Sequence, residues 1–295
     1  MIPLTSSLCY GPLGACQLPR LWWKVTLNEA GALAPDYPEC SGGLDSQVME
    51  RFGLDKQETL GYIHGEKPNY LQFEQWIREQ KGGALDTAAV EEWNSYIRDR
   101  VHKPAKLADI HQTLGLENDG TLTSALLLNH LEDWHIFHQR DLQEGFAALG
   151  GQTVPLISTL DHGPLEVCQL PRTWLKVVLR AKDLLHPDYP DCGGGLDARV
   201  LDVLGLDKEA TLAYLRSELP TYLAFENWVL EQSGGKIDRQ AADEWNEFVS
   251  QRVHNDDKRV DIHAILGRQD DGTLTAAAVL NHVEDWHLVH AALTQ

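Results

Sequence analysis

The chain has 295 residues and a formal net charge of −19 at pH 7. This length accommodates one or two domains that each bury a core. The acidic balance argues against binding to a nucleic-acid backbone, which requires basic patches. It also argues against docking on anionic lipid. We therefore expect no nucleic-acid partner and no membrane partner.

The five cysteines lack the spacing of a metal or redox motif. Cys9, Cys16, Cys40, Cys168 and Cys192 form no CxxC pair, and an odd number does not close into a full disulfide set. The N-terminus lacks the basic and apolar regions of a signal peptide. No run of about 18 apolar residues predicts a membrane span. Together these features favour a cytoplasmic protein.

Much of the sequence occurs twice at a constant offset; Trp93, for example, matches Trp245. The register predicts an internal duplication, with homologous helical repeats at 1–143 and 153–295 and a connector at 144–152. Because duplicated domains commonly replace a symmetric dimer, we expect the repeats to pack about a pseudo-twofold axis. The chain is expected to be either a monomer with this pseudo-dimeric arrangement or a homodimer.

Within the first repeat, the spacing of apolar residues predicts helices and no strand. Proline and glycine content predicts an extended strap over residues 1–16 and loops at 36–43 and 118–120. The helix signals predict helices over about 18–33, 45–52, from a capping box at 55–58 onward, 68–82, 86–102, 109–114 and 122–140. The fold class is therefore all-α.

One pattern near the start of each repeat resembles a known family. It comprises Leu13-Gly, Leu18-Pro-Arg20, Lys24, Gly31, Tyr37, Cys40, Leu44-Asp45 and Gly53-Leu-Asp55. Much of it returns at Leu170-Pro-Arg172, Lys176, Tyr189, Cys192, Leu196-Asp197 and Gly205-Leu-Asp207. The pattern is similar to a bacterial family of unknown function, number 5069 in the domain-of-unknown-function series. The resemblance covers most of each repeat, although family members are single-copy. It implies the fold and supports a site at Arg20 and Lys24, but it names no reaction.

The last helix of each repeat carries most of the titratable groups. The candidate catalytic or metal-binding residues are His130, Glu132, His135 and His138, with His282, Glu284, His287 and His290 in the second repeat. At 100° per residue, the three histidines of the first copy lie on the apolar arc of the helix. They are therefore expected to face the core or a cleft. Trp134 and Trp286 are expected to line the same pocket and contact the substrate.

These residues leave several chemical interpretations open. Glu132-x-x-His135 has the spacing of di-iron carboxylate bundles, where two such motifs meet two further glutamates. A histidine site for zinc, manganese or iron with an open water position is an alternative. Metal-free acid/base catalysis and simple core packing are the others. Further candidate ligands are Glu74, Glu92, Glu226, Glu244, His102, His111, His254 and His263.

A second candidate site lies on the first helix of each repeat. Arg20 and Lys24 form a cationic face suited to a carboxylate or phosphate group. Tyr37 or Asp45 would then act as a proton donor or acceptor. The corresponding residues of the second repeat are Arg172, Lys176, Tyr189 and Asp197. Alternatively, the cations pair with acidic residues inside the fold, such as Asp36 or Asp45.

From these patterns we expect an enzyme that acts on a small organic molecule by non-redox chemistry. The reaction would be elimination, isomerisation or hydrolysis, either by acid/base catalysis or with a divalent metal. A non-catalytic protein that binds a small ligand is the alternative. A di-iron oxidase or oxygenase is a further alternative.

Overall fold

Residues 1–294, which this computed structural model describes, are helical and contain no β-strand, in agreement with the predicted class. The first helices are α1 (Leu18–Glu29), α2 (Leu44–Arg51), α3 (Lys56–Glu66), α4 (Tyr70–Lys81), α5 (Thr87–Asp99), α6 (Pro104–Leu114), α7 (Ala125–Gln139) and α8 (Asp141–Glu144). After a 3₁₀ turn at Ala147–Leu149 come α9 (Leu170–Ala181), α10 (Leu196–Val203), α11 (Lys208–Glu218), α12 (Tyr222–Gln232), α13 (Arg239–Gln251), α14 (Asp256–Ile265) and α15 (Ala277–Leu293). Over the described part of the chain, no helix combines the length and apolar character needed to cross a membrane.

Two helix boundaries differ from the sequence prediction for local reasons. α1 ends at Glu29 because Gly31 adopts a φ of 66° and the Ala32 amide bonds back to the Leu27 carbonyl at 2.8 Å. α6 begins five residues earlier than predicted, at Pro104. Proline suits this position because its fixed φ is helical and its missing N–H would have no helical partner.

The helices form two compact units that combine segments distant in the sequence. Unit 1 contains Met1–Arg100 and the chain from Val253 onward, whereas unit 2 contains Val101–Arg252. In unit 1, α15 packs against α4, and in unit 2, α7 packs against α12. The predicted boundaries at 1–143 and 153–295 are therefore not those of the compact units. The reason is that α7 and α15 each bury their apolar face against a helix of the other sequence repeat.

An aromatic cluster fills the core of unit 1. The ring of Tyr70 on α4 meets Trp22 at 5.4 Å and Trp286 at 4.6 Å, both edge to face. The indole N–H of Trp22 donates to the carbonyl of Pro68 at 2.9 Å. Trp286 is 1 % exposed. It is therefore a core residue of unit 1, packed against Tyr70.

Unit 2 has an equivalent cluster built from its own helices. Tyr222 on α12 meets Trp134 at 4.7 Å and Trp174 at 5.5 Å. The indole N–H of Trp174 donates to the carbonyl of Pro220 at 2.9 Å. Trp134, like Trp286, is 1 % exposed. Both tryptophans that were predicted to contact a substrate thus lie in packed cores.

Candidate functional site

The predicted Glu-x-x-His pair of α7 does not share a neighbour. Glu132 forms an ion pair with Lys106 of α6 at 3.0 Å. His135 instead accepts a hydrogen bond from the Gln139 side-chain amide, with the two nitrogens 2.7 Å apart. Burial raises the pKa of Glu132 against the opposing effect of Lys106, and burial lowers the pKa of His135.

The other two histidines of α7 are packing residues of unit 2. His130 is buried and stacks on Trp134 with ring centres 5.5 Å apart. His138 donates from Nε2 to the Leu219 carbonyl at 2.7 Å and stacks on Trp174. Leu219 is the last residue before Pro220, so this bond fixes the turn that precedes α12.

The histidines of α15 play a similar part in unit 1. His282 donates from Nδ1 to the carbonyl of Tyr10 at 3.1 Å. His290 donates from Nε2 to the carbonyl of Lys67 at 3.1 Å, and its pKa is lowered mainly by burial. Both bonds are made to backbone oxygens, so both rings use a donor nitrogen to hold the chain of unit 1.

Glu284 and His287 complete the predicted set on α15. Glu284 pairs with Lys258 of α14 at 3.1 Å, and burial lowers the pKa of His287. Among residues 1–294, no three or more His, Cys, Asp or Glu side chains form a group that could hold a metal ion. The structure therefore does not bring the predicted zinc, manganese or iron ligands together.

The arginines of the second candidate site hold the N-terminal strap. Arg20 donates to the carbonyl oxygens of Pro3 at 2.6 Å and Thr5 at 2.9 Å. Arg172 holds the carbonyls of residues 155–157 in the same way. These guanidinium groups therefore satisfy buried backbone acceptors.

The lysines of this site are internal ion-pair partners. Lys24 donates to Asp45 at 2.6 Å, and Gln17 donates to the other oxygen of that carboxylate at 2.7 Å. Burial alone would raise the pKa of Asp45, but the Lys24 ammonium and the hydrogen bonds lower it overall. Lys176 meets Asp197 at 2.5 Å in unit 2. The interpretation in which Lys24 pairs with Asp45 inside the fold is thus confirmed.

Tyr37 and Tyr189, the predicted proton donors, are half-buried in the loops that follow α1 and α9. The ring of Tyr189 packs edge-on against His186 with centres 6.2 Å apart, and its carbonyl accepts a bond from Arg180 at 2.6 Å. Tyr189 therefore stabilises the loop after α9 through both its ring and its backbone.

A buried glutamate in each unit has a strongly altered acidity. Glu226 on α12 accepts hydrogen bonds from the Tyr222 hydroxyl at 2.6 Å and the Leu165 amide at 3.2 Å. Burial raises the pKa of Glu226 to about 8, although both hydrogen bonds act in the opposite direction. In unit 1, burial raises the pKa of Glu74 to about 7. Both carboxyl groups are therefore candidates for proton donors near neutral pH.

Close approach of the strap makes these tyrosine–glutamate pairs possible. A Cβ at Gly163 would lie 2.3 Å from Cε1 of Tyr222 and 2.5 Å from Oε1 of Glu226. The same clash would arise at Gly11 against Tyr70 and Glu74. Only glycine fits at these two positions, and the reason is space rather than backbone conformation.

Glu226 lines a cavity of about 610 Å³ in unit 2. α6, the segment before α7, the strap at 164–166 and α12 form its walls. Much of the lining is apolar, and the exposed carboxylates lie at the rim. The lining residues are His111, Leu116, Glu117, Asp119, Thr121, Leu122, Thr123, Ser124, Leu127, Pro164, Leu165, Glu166, Leu223, Glu226, Asn227 and Leu230.

His111 brings an unused hydrogen-bond acceptor to this cavity. The residue is 2 % exposed, and its Nδ1 donates to the carbonyl of Leu107, one turn earlier in α6, at 2.8 Å. Its Nε2 is buried without a hydrogen-bond partner. The bond to Leu107 fixes the tautomer, so Nε2 of the neutral ring carries a lone pair. A buried polar atom without a partner is rare and costs free energy.

The corresponding position in unit 1 is filled by protein groups. Nε2 of His263 lies 3.5 Å from Oδ1 of Asp270, and Arg259 donates to Oδ2 of the same carboxylate at 2.9 Å. Unit 2 has Leu107 and Asn118 at the matching positions of the sequence register. The carboxylate and the guanidinium that surround His263 are therefore missing around His111.

Sequence reasoning named Glu226 and His111 only as secondary metal ligands. One available signal was the Tyr222-x-x-x-Glu226 spacing, since residues four apart share a helix face. Nothing in the local sequence of α6 indicates that His111 has an acceptor without a partner. That property depends on the loop after α6 and on helix α12.

Comparisons with protein-family models, with curated proteins and with solved structures found no match to this chain. The resemblance to the family of unknown function thus stays a prediction. The function has to be argued from the chemistry of the site.

Proposed function

We propose that the protein is an enzyme that acts on a small organic molecule by metal-free acid/base chemistry in the unit 2 cavity. The reaction class is elimination, isomerisation or hydrolysis. The observation that carries this proposal is the buried Nε2 of His111, an acceptor with no partner on the wall of a cavity. This proposal keeps the expected chemistry and moves it from α7 to α6 and α12.

Each of the two buried titratable groups has a defined part in the proposed reaction. Nε2 of His111 accepts a proton from the substrate as the general base. Glu226, with a pKa of about 8, is largely protonated at neutral pH and supplies a proton as the general acid. A base and an acid whose environments separate their roles are the usual arrangement in acid/base enzymes.

The dimensions of the cavity support a small substrate. Its volume of about 610 Å³ lies within the roughly 300–1,000 Å³ that is typical of ligand pockets. The leucines of its walls limit the access of water, which strengthens electrostatic interactions with a bound molecule. The cavity is therefore suited to a molecule with an apolar body and one or two polar groups.

We also propose that the chain arose by internal duplication and works in a reducing compartment such as the cytoplasm. Each of α9 to α15 begins 152 residues after its counterpart among α1 to α7, which supports the first statement. Five free cysteines support the second, because oxidising compartments favour disulfides. The arrangement as a pseudo-dimeric monomer or a homodimer is part of the same proposal.

A deuterium-exchange assay tests the proposed chemistry, and it works for any product. The purified chain is incubated in D₂O with a panel of small amines, alcohols, esters and keto compounds. Proton NMR then detects loss of a C–H signal or formation of a product. We expect at least one compound to react with the wild type and with His263→Gln, but not with His111→Gln. Reaction that persists in His111→Gln contradicts the assigned base.

Ligand binding without turnover is the second candidate function. One observation favours it: both oxygens of Glu226 already accept hydrogen bonds from unit 2, which gives the carboxyl a structural role. Saturable binding at one molecule per chain, together with no exchange or product for any panel compound, supports this candidate over the enzyme.

A further inference from the structure

We propose that the ligand of the unit 2 cavity is a small organic ammonium ion, that is, a protonated amine on a compact apolar body. This inference rests on the proposed site, and it specifies the chemical class of the substrate. Three independent features of the cavity point to a cation: the charge of its rim, the unused acceptor in its wall and its apolar lining.

The charge of the cavity is entirely of one sign. Glu117, Asp119 and Glu166 line it, and no lysine or arginine is among the described residues that do so. Hydrogen bonds from the backbone and hydroxyl of Thr121 lower the pKa of Asp119, so this rim carboxylate stays ionised. A concave surface with one sign of charge concentrates ligands of the opposite sign.

One cation lies beside the rim and has to be counted. Arg239 pairs with Glu166 at 3.3 Å and also donates to the Leu165 carbonyl at 3.0 Å. It therefore offsets Glu166 but leaves Glu117 and Asp119. The rim keeps a negative charge after this pairing.

The wall supplies the matching hydrogen-bond acceptor. The Nε2 lone pair of His111 is buried and unpaired, and an ammonium N–H is a strong donor for it. A carboxylate or phosphate ligand offers only acceptors, so it would leave this atom without a partner. Leu127, Leu223 and Leu230 provide apolar contact for the body of the molecule.

A matched series of three probes tests the charge preference. Benzylammonium, benzyl alcohol and benzoate share one ring and differ in the charge of the substituent. Calorimetric titration of the full chain measures affinity and stoichiometry. Nitrogen NMR of the imidazole rings reports whether Nε2 of His111 gains a donor. We expect benzylammonium to bind at least about tenfold more tightly than the alcohol, because a charged donor roughly doubles the strength of a hydrogen bond. Benzoate should show no saturable binding.

Two pairs of variants assign the effect to the cavity. Asp119→Asn removes a rim charge and should weaken benzylammonium binding severalfold, whereas Asp271→Asn, at the matching position of unit 1, should leave it unchanged. His111→Phe should abolish the binding and the nitrogen shift, and His263→Phe should leave both unchanged. Circular dichroism confirms that each variant is folded. The Asp119 and Asp271 side chains are exposed, so that pair remains informative even if His111→Phe does not fold.

The outcomes separate this inference from the proposed function. Equal binding of alcohol and ammonium, or tighter binding of benzoate, overturns the cationic ligand class. Absence of saturable binding by all three probes at millimolar concentration overturns it as well. Deuterium exchange that depends on His111 would still support the acid/base site in either case. Conversely, selective ammonium binding without any turnover supports the ligand class and contradicts the enzyme.

Discussion

The two units share a helical framework and differ around one buried histidine. In unit 1, Asp270 lies against His263 and is itself paired with Arg259. In unit 2, His111 keeps its bond to the helix backbone but has no partner at Nε2. Both rings are almost fully buried, at 1–2 % exposure. The difference therefore lies in the neighbouring groups and not in burial.

This difference indicates that two positions decide whether the histidine is available to a ligand. Leu107 and Asn118 of unit 2 correspond to Arg259 and Asp270 of unit 1. An arginine–aspartate pair places a carboxylate against the ring, whereas leucine and asparagine leave a polar atom open to the cavity. Stability favours the first arrangement, because an unsatisfied buried acceptor is costly. The cost is accepted in unit 2, which is typical of functional sites.

The largest expected effects concern the parts that the units share. Lys24→Ala and Lys176→Ala each leave a buried aspartate without its cation, at Asp45 and Asp197. Breaking a buried ion pair costs about 3–5 kcal/mol of the free energy of unfolding. Urea denaturation of both variants should give losses of similar size. A loss in one unit only would show that the frameworks are not equivalent.

A paired replacement serves as the control for this measurement. Lys24→Met combined with Asp45→Leu removes both charges, so no buried charge remains unpaired. Its stability should return to within about 2 kcal/mol of the wild type, since apolar replacement of a buried pair is often neutral. A double variant as unstable as Lys24→Ala would assign the loss to packing.

Removal of the space for the tyrosine–glutamate pair should cost slightly less. Gly163→Ala and Gly11→Ala place a Cβ within 2.3 Å of a tyrosine ring carbon. Overpacking of this kind costs roughly 1–3 kcal/mol, and the two variants should lie at the upper end. Gly42→Ala is the control, because no atom lies within 4 Å of its Cβ. Thermal unfolding compares all three, and tolerance of alanine at Gly163 would contradict the close approach.

The sequence contained most of the helical framework but not its assembly. Apolar periodicity and capping residues such as Asp55 and Asp86 locate the helices because these signals are local. The pairing of α15 with α4 was missed, since an apolar face does not specify which helix covers it. The availability of His111 was missed for a related reason. It depends on Asn118 and Leu107 lacking charge, which has meaning only once they are seen beside the ring.

The buried glutamates should make stability depend on pH in both units. Folding raises the pKa of Glu226 from 4.5 to about 8, so the native state keeps a proton that the unfolded chain releases. The resulting stabilisation is complete below about pH 4.5 and is lost as the pH rises towards 8. Glu74 acts likewise over a narrower window, because its pKa is about 7.

Glutamine variants measure this contribution directly. Glu226→Gln has no proton to lose, so relative to the wild type it should gain on the order of 2 kcal/mol between pH 5 and pH 8. Glu74→Gln should gain less over the same range. Urea denaturation at the two pH values provides the comparison. A stability profile of Glu226→Gln that runs parallel to the wild type would show that this carboxyl is not protonated in the native state.

The smallest effect on stability, and the sharpest test of the comparison, comes from exchanging the two distinguishing positions. Leu107→Arg with Asn118→Asp rebuilds the unit 1 ion pair beside His111. Such a partly exposed pair should change stability by about 0.5 kcal/mol at most, but it should abolish benzylammonium binding by occupying Nε2. Arg259→Leu with Asp270→Asn should do the reverse for His263 and raise the stoichiometry from one probe to two per chain. Calorimetric titration counts the sites. If the second exchange leaves the stoichiometry at one, these two positions do not suffice to open a site, and other differences between the loops must contribute.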